Sequence, residues 1–232
     1  MNANAEQSFP YCDDLVRRLD EDRWLSARYA RPPARRKLIA FYALHLEIER
    51  APAMVSEAAL GEIRLQWWRE AIDELRKGGP SRAHPVVELA RRERILDEAS
   101  HRLFETAIDA RARLLYDEAF HDVDEIERWL RAAEAYLGVA AGAADFAPML
   151  EDAGAAFALA RHGRILAPAL GEACRARAKT LIDSAAQGLR ALPAESAPAA
   201  LHFALTADYL GGAPSPLLKR WRLFATMLTG RY

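Results

Sequence analysis

Hydrophobic positions recur along this chain with the spacing of α-helices, and no stretch alternates as a β-strand does. Proline and glycine divide the pattern into helical blocks joined by short connections. We therefore predict a single all-α domain over residues 1–232, with residues 1–10 as a flexible N-terminus. The predicted helices span residues 34–50, 61–76, 86–97, 100–118, 122–144, 151–166, 172–192, 198–210 and 215–229.

Two of these helices differ from ordinary surface helices. Across residues 38–48 apolar side chains surround the axis, which predicts burial in the middle of a bundle. His45, Glu47 and Glu49 then need partners, because burying an unpaired carboxylate is very costly. The other helix, residues 153–166, is rich in small residues, which permit close helix packing or line a space for a ligand's chain.

Composition and charge narrow the class of protein. Apolar residues make up 51% of the 232 residues, charged residues make up 28%, and alanine is abundant, all of which favours a globular helical protein. The formal net charge of -1 argues against a nucleic-acid-binding protein that depends on phosphate contacts. The preference for Ala and Arg is typical of GC-rich bacterial genes.

Cysteine usage and hydropathy give expectations for location. Cys12 and Cys174 fit no CxxC or zinc spacing, so we expect free thiols in a reducing compartment. No uncharged run approaches the ~18 residues of a transmembrane helix, so we predict a cytoplasmic protein without a membrane span. The block at residues 215–232 is basic and amphipathic, which fits either a final bundle helix or peripheral contact with the inner membrane.

The order of several motifs resembles the squalene/phytoene synthase family, which folds as an isoprenoid synthase helical bundle. The resemblance covers residues 11–142, is most specific up to residue 75, and is weaker beyond 142, where the second half is shortened. It rests on PARRKLIAFYA at 33–43, RLQWWR at 64–69, and EIERW at 125–129 followed by Tyr136 and Gly142. The sequence of these motifs is most similar to a divergent branch that includes bacterial proteins of unknown activity and a mitochondrial complex I assembly factor.

The resemblance implies a definite chemistry for an active member. Such an enzyme joins two prenyl diphosphates after ionising one of them, and Mg²⁺ ions neutralise the leaving diphosphate. The family holds these ions with two DxxxD-type motifs on facing helices, where the i, i+4 spacing puts both carboxylates on one helix face.

This sequence departs from both motifs. Glu49 keeps the first carboxylate, but Ala53 occupies the second position and Pro52 disturbs the helix between them. The second region, residues 153–166, contains no carboxylate. We therefore predict a degenerate site with no catalytic residue beyond the remnant Glu49, no metal and no cofactor, with Mg²⁺ required only if the protein is catalytic. Other i, i+4 acid pairs are interpreted as solvated surface, among them Glu70/Glu74 and the Glu105/Asp109 ladder with His101.

Six residues are candidates for binding. His45 and Glu49 are i, i+4 neighbours that either satisfy each other or contact a ligand. Glu47 is expected to pair with Arg64 on the next helix. Arg35 lies in a first helical turn, where the macrodipole disfavours cations, so an anion such as diphosphate or a lipid headgroup, or else nearby carboxylates, would stabilise it. The candidates are Arg35, Tyr42, His45, Glu47, Arg64 and Gln66.

The predicted function is non-catalytic binding or assembly, and the resemblance implies assembly of respiratory complex I through a protein partner. One alternative is an active prenyl-diphosphate transferase or hydrolase with rearranged ligands. Another is a carrier of a prenyl lipid or quinone, which needs only an apolar cavity.

Overall fold

The computed structural model of the chain describes residues 3–79, 82–116, 118–141 and 146–232, and these contain helices and no strand. The all-α prediction is confirmed. Pro80, Gly142 and the predicted helix end at Ala144 lie outside the described residues. The helices are α1 (Ala3–Leu19), α2 (Glu21–Ala27), α3 (Pro32–Arg50), α4 (Ala58–Arg76), α5 (Pro85–Glu93), α6 (Glu98–Ala112), α7 (Val123–Leu130), α8 (Tyr136–Ala141), α9 (Ala147–Leu166), α10 (Gly171–Arg190), α11 (Ala197–Ala200), α12 (Thr206–Gly211) and α13 (Pro216–Thr229).

The chain divides into two compact units, residues 1–118 and 119–232. The prediction of one domain over the whole chain stays a prediction. Among the described residues, no helix combines the length and the apolar character needed to cross a membrane.

Helix α3 forms the centre of the first unit. Every residue from Leu38 to Ile48 is buried, as the apolar pattern predicts. Helices α1, α5 and α6 pack against it, and the rings of Phe41 and Phe104 stack with centroids 6.2 Å apart. His45 and Glu47 are therefore held among the packed helices of the first unit.

Local signals set most helix ends in the first unit. Pro32 and Pro85 each occupy a first helical turn, where proline's missing N–H costs nothing. Helix α5 ends at Glu93, before the predicted Asp97, because Arg94 adopts a left-handed conformation with φ 52°. Asp97 then caps α6 by accepting a hydrogen bond from the Ser100 N–H at 2.8 Å.

The N-terminal segment is helical and makes contacts at residues 8 and 9, and the flexibility predicted for residues 1–10 stays a prediction. Residues 3–10, predicted as flexible, belong to helix α1. Ser8 is buried, and the Phe9 ring centroid lies 4.8 Å from the Arg36 guanidinium carbon. These tertiary contacts give the segment a packed position that its own sequence does not signal.

Helix α9 forms the centre of the second unit and packs along α10. Its small residues serve close packing. A Cβ atom added at Gly154 would lie 2.7 Å from the carbonyl oxygen of Ala135, and one at Gly163 would lie 2.6 Å from Cβ of Cys174. The first of the two interpretations of residues 153–166 therefore holds at these glycines.

The long helix predicted at residues 122–144 is interrupted by a π-helical turn at Arg131–Ala135. Within this turn Glu134 is buried, and its Oε2 lies 3.4 Å from His162 Nε2 on α9. Sequence reasoning missed this pair, because an inserted π turn has no periodic signal of its own.

Candidate functional site

The remnant of the first acidic motif lies at the carboxyl end of α3. The helix ends at Arg50, and Pro52 begins a 3₁₀ turn that reaches Met54. Ala53 therefore lies outside α3 and cannot share a helix face with Glu49. The i, i+4 geometry of a two-carboxylate motif is absent at this point, in agreement with the effect predicted for Pro52.

Glu49 is engaged by two side chains. Its Oε2 lies 3.4 Å from Nε2 of His45, and its Oε1 lies 3.5 Å from Nη2 of Arg111 on α6. His45 and Arg111 are both buried, while the Glu49 side chain is one-third exposed. The structure thus brings His45 and Glu49 together, as the interpretation in which the two side chains satisfy each other required. Arg111 was missed, because a contact from a distant helix leaves no spacing pattern in the sequence.

Burial and charge act in opposite directions on His45. Burial is the larger effect and lowers the pKa of the imidazole, while Glu49 raises it and Arg111 lowers it further. The neutral imidazole is therefore favoured at neutral pH, and the charged partner of Glu49 is Arg111. Among the described residues, no three His, Cys, Asp or Glu side chains are grouped to hold a metal ion.

A cavity of about 230 Å³ opens beside α3 in the first unit. Rings form much of its wall: the Trp67 and Trp68 centroids are 4.8 Å apart, and those of Trp68 and His84 are 5.1 Å apart. Glu47 and Arg64 also line it. The full lining is Glu47, Ala51, Met54, Arg64, Trp67, Trp68 and His84.

Two groups in this cavity are shifted toward their neutral forms. Burial raises the pKa of the Glu47 carboxyl, although Arg50 lowers it, and burial lowers the pKa of His84. Among the described residues, Glu47 Oε1 is buried without a hydrogen bond, and Arg50 Nη1 lies 3.6 Å from it. A carboxyl shifted toward its neutral form beside aromatic rings can donate a hydrogen bond to a small polar ligand or accept one from it.

The predicted pairing of Glu47 with Arg64 is not formed. Arg64 Nη1 lies 3.8 Å from Met54 Sδ instead. Arg50 replaces it because a residue three positions along the same helix is brought close to Glu47 by helix geometry alone. Glu47 and Arg64 share a cavity wall without an ion pair.

Two cations at the start of α3, Arg35 and Arg36, bind groups within the protein. Arg35 Nη2 donates hydrogen bonds of 3.0 Å to the carbonyl oxygens of Arg28 and Ala30. Arg36 Nε donates to Glu93 Oε1 at 2.7 Å. The carbonyl oxygens and the carboxylate thus offset the unfavourable interaction between these cations and the helix dipole. The anion proposed for Arg35 is not needed to explain its position.

Tyr42 and Gln66 lie apart from the cavity. Tyr42 is fully buried in α3, and burial raises the pKa of its hydroxyl. Gln66 Nε2 donates to Glu70 Oε1 at 3.2 Å and lines a separate surface groove of about 540 Å³. The six binding candidates therefore do not converge on one site.

The surface acid pairs are mostly engaged by arginine. Arg82 binds both Glu70 and Glu74, at 2.9 and 2.7 Å. His101, predicted on a solvated ladder, is buried, with Nδ1 3.4 Å from Glu105 Oε2. This prediction was wrong because α4 packs against α6 and covers the face on which His101 lies.

Comparisons with known proteins agree with the fold. The family model for squalene/phytoene synthase matches residues 16–162. NADH dehydrogenase (ubiquinone) complex I, assembly factor 6, from Bos taurus is 25% identical over 127 residues, which is 55% of this chain and 38% of that protein. Its Homo sapiens counterpart is 23% identical over 127 residues, also 38% of its length, so the match spans under two-fifths of these curated relatives. A crystal structure of a dehydrosqualene synthase in complex with ligand has a TM-score of 0.73 and 12% identity, with 95% of each chain covered, and supports the fold alone.

Proposed function

Because the chain belongs to the squalene/phytoene synthase family, we propose that it is a non-catalytic member that acts in binding or assembly. The more specific proposal is assembly of a respiratory NADH dehydrogenase in a bacterial cytoplasm. The main support for a non-catalytic role is the ion pair between Glu49 and Arg111.

The electrostatics of that pair oppose metal-diphosphate chemistry. A Mg²⁺ cluster needs several free carboxylate oxygens in octahedral geometry. Here the remaining carboxylate faces a buried guanidinium and a neutral imidazole. A divalent ion at Glu49 would have to displace Arg111 or lie beside its positive charge, and either change is costly in a buried setting.

The similarity to complex I assembly factor 6 supports the assembly role. An assembly factor needs a stable fold and a surface for its partner, and it needs no metal cluster. The proposal therefore accounts for a protein that keeps the buried helix α3 while losing the second carboxylate on it.

Diphosphate release tests the absence of catalysis. Farnesyl and geranylgeranyl diphosphates are incubated with the wild type, Glu49→Ala and the matched exposed control Glu195→Ala, with and without Mg²⁺. No variant is expected to release diphosphate above the protein-free background. Mg²⁺-dependent release that is lost in Glu49→Ala and kept in Glu195→Ala would favour the alternative enzyme with rearranged ligands.

Deletion of the gene in its own host tests the assembly role. We expect a loss of assembled NADH dehydrogenase on native gels and of NADH oxidation by membranes, with other respiratory complexes unaffected. Rescue is expected from both the wild type and Glu49→Gln, provided that both accumulate to equal levels. Normal assembly in the deletion strain would refute the role.

A further inference from the structure

Helix α13 presents an apolar stripe to solvent. Leu217, Trp221, Phe224 and Leu228 are exposed by 81, 67, 46 and 69%. Their spacing of i, i+4, i+7 and i+11 places all four along one face of the helix. We call these four residues the α13 stripe. Large apolar side chains grouped in this way mark an interaction surface more often than scattered ones do.

The opposite face of α13 is anchored in the second unit. Leu223 and Thr226 are buried, and the helix packs against the 3₁₀ segment Leu201–Leu205. Arg222 makes two hydrogen bonds of 2.9 Å to the carboxylate of Asp208. The exposure of the stripe is therefore a property of a docked helix with a fixed orientation.

Charge indicates which surface the stripe fits. Residues 215–232 contain Lys219, Arg220, Arg222 and Arg231, and no Asp or Glu. On the helical wheel, Arg220 lies beside the stripe, whereas Arg222 points toward the docked side, where it binds Asp208. Two copies of α13 packed stripe to stripe would bring two segments of net positive charge together, whereas an anionic lipid surface accepts both the apolar face and the adjacent Arg220.

A second basic feature lies beside α13. A cavity of about 410 Å³ in the second unit is lined by Arg161, Arg164, Arg175 and Tyr209, among others. Lys219 Nζ lies 5.9 Å from the ring centroid of the same Tyr209. The cavity and α13 thus meet at this tyrosine, on the side of the helix away from the stripe.

We propose that the second unit binds the surface of an anionic membrane through α13. The stripe enters the boundary between headgroups and acyl chains, and Arg220 remains at the level of the lipid phosphates. This inference stands on the geometry of α13 and does not depend on the proposed role in assembly.

Cosedimentation with vesicles tests the proposal. The full chain is mixed with vesicles of phosphatidylcholine alone or with about one-third phosphatidylglycerol, a fraction sufficient to attract basic segments. The variants are Leu217→Ser/Leu228→Ser and the control Leu19→Ser/Leu60→Ser, whose two leucines are exposed by 48 and 46% on other helices. All four substituted leucines are exposed, and circular dichroism checks that each variant folds.

We expect binding to the anionic vesicles, a partition coefficient about tenfold or more lower in the stripe variant, and little change in the control. Raising the salt concentration should also weaken binding. The proposal is overturned by an absence of vesicle binding, by equal binding of the stripe variant, or by a wild-type dimer in sedimentation that the same two substitutions dissociate.

Discussion

Replacement of Asp20 by Asn should strongly destabilise the first unit, because Asp20 neutralises a buried arginine. Asp20 Oδ2 lies 2.6 Å from Arg23 Nη1, and each side chain is only 3% exposed. Asp20 Oδ1 also caps α2 by accepting a hydrogen bond from the Arg23 N–H at 3.3 Å. Asparagine keeps an oxygen for the cap, but its amide nitrogen then replaces the oxygen that accepts from Arg23 Nη1, so the substitution removes both the charge and that hydrogen bond.

The expected cost follows from removing the negative charge that lies 2.6 Å from the buried guanidinium of Arg23. Breaking a buried pair by removing one partner costs about 3–5 kcal/mol. A domain of ordinary stability has about 5–15 kcal/mol in total. Asp20→Asn is therefore expected to take away a large part of the unfolding free energy of this unit.

The chain supplies a matched control in Asp14, which pairs with Arg17 at the same i, i+3 spacing and the same 2.6 Å distance. Those side chains are 44 and 54% exposed, so Asp14→Asn should leave stability unchanged within error. Urea unfolding followed by circular dichroism measures both variants. Equal losses in the two variants, or no loss in either, would refute the argument that burial decides the value of this pair.

Two further substitutions test the cavity and the helix packing. Glu47→Gln should raise the unfolding free energy at pH 7 by about 1 kcal/mol, because the buried charged form lacks a hydrogen bond. Burial raises the folded-state pKa of Glu47 above its ordinary value of 4.5, so the stability gained in Glu47→Gln should be lost as the pH falls through the folded-state pKa toward 4.5. A gain that persists in acid would contradict the electrostatic cause. Gly154→Ala should lower the unfolding free energy by about 1–3 kcal/mol, measured by thermal unfolding, because the added Cβ would meet the Ala135 carbonyl oxygen. The cost rises with the backbone shift that is needed to relieve this contact. Gly211→Ala is the control, because a Cβ atom there meets no atom of the described residues within 4 Å; similar losses at both glycines would show that crowding is not the cause.

Signals that lie close together in sequence predicted much of the first unit. The apolar pattern of residues 38–48 gave the burial of α3, since a helix without a polar face has to be enclosed. The predicted start of α5 at residue 86 lies one residue from the observed start at Pro85, a residue type that favours the first helical turn. The end of α5 was missed because Arg94, a residue without glycine's freedom, adopts the left-handed conformation that stops the helix.

The partners of the buried polar groups could be predicted only in part. The pairing of His45 with Glu49 follows from helix geometry and was among the interpretations of the sequence. The contact of Glu49 with Arg111 depends on how α6 packs against α3, and helical spacing carries no information about it. The same limit applies to Arg50, which pairs with Glu47 while Arg64 turns toward Met54.

The ion pair at Glu49 also explains why the acidic motif cannot be regained by a single substitution. A carboxylate at position 53 would still lie beyond the end of α3, in the 3₁₀ turn that Pro52 begins. Any metal near Glu49 would still face the buried guanidinium of Arg111. A two-carboxylate metal site at this point would therefore require a continuous helix, a second carboxylate and the loss of Arg111 together. Each of these changes alone leaves a break in the helix or an uncompensated buried charge. Glu49 is now part of the packing between α3 and α6, and stability alone is sufficient reason for the protein to keep it.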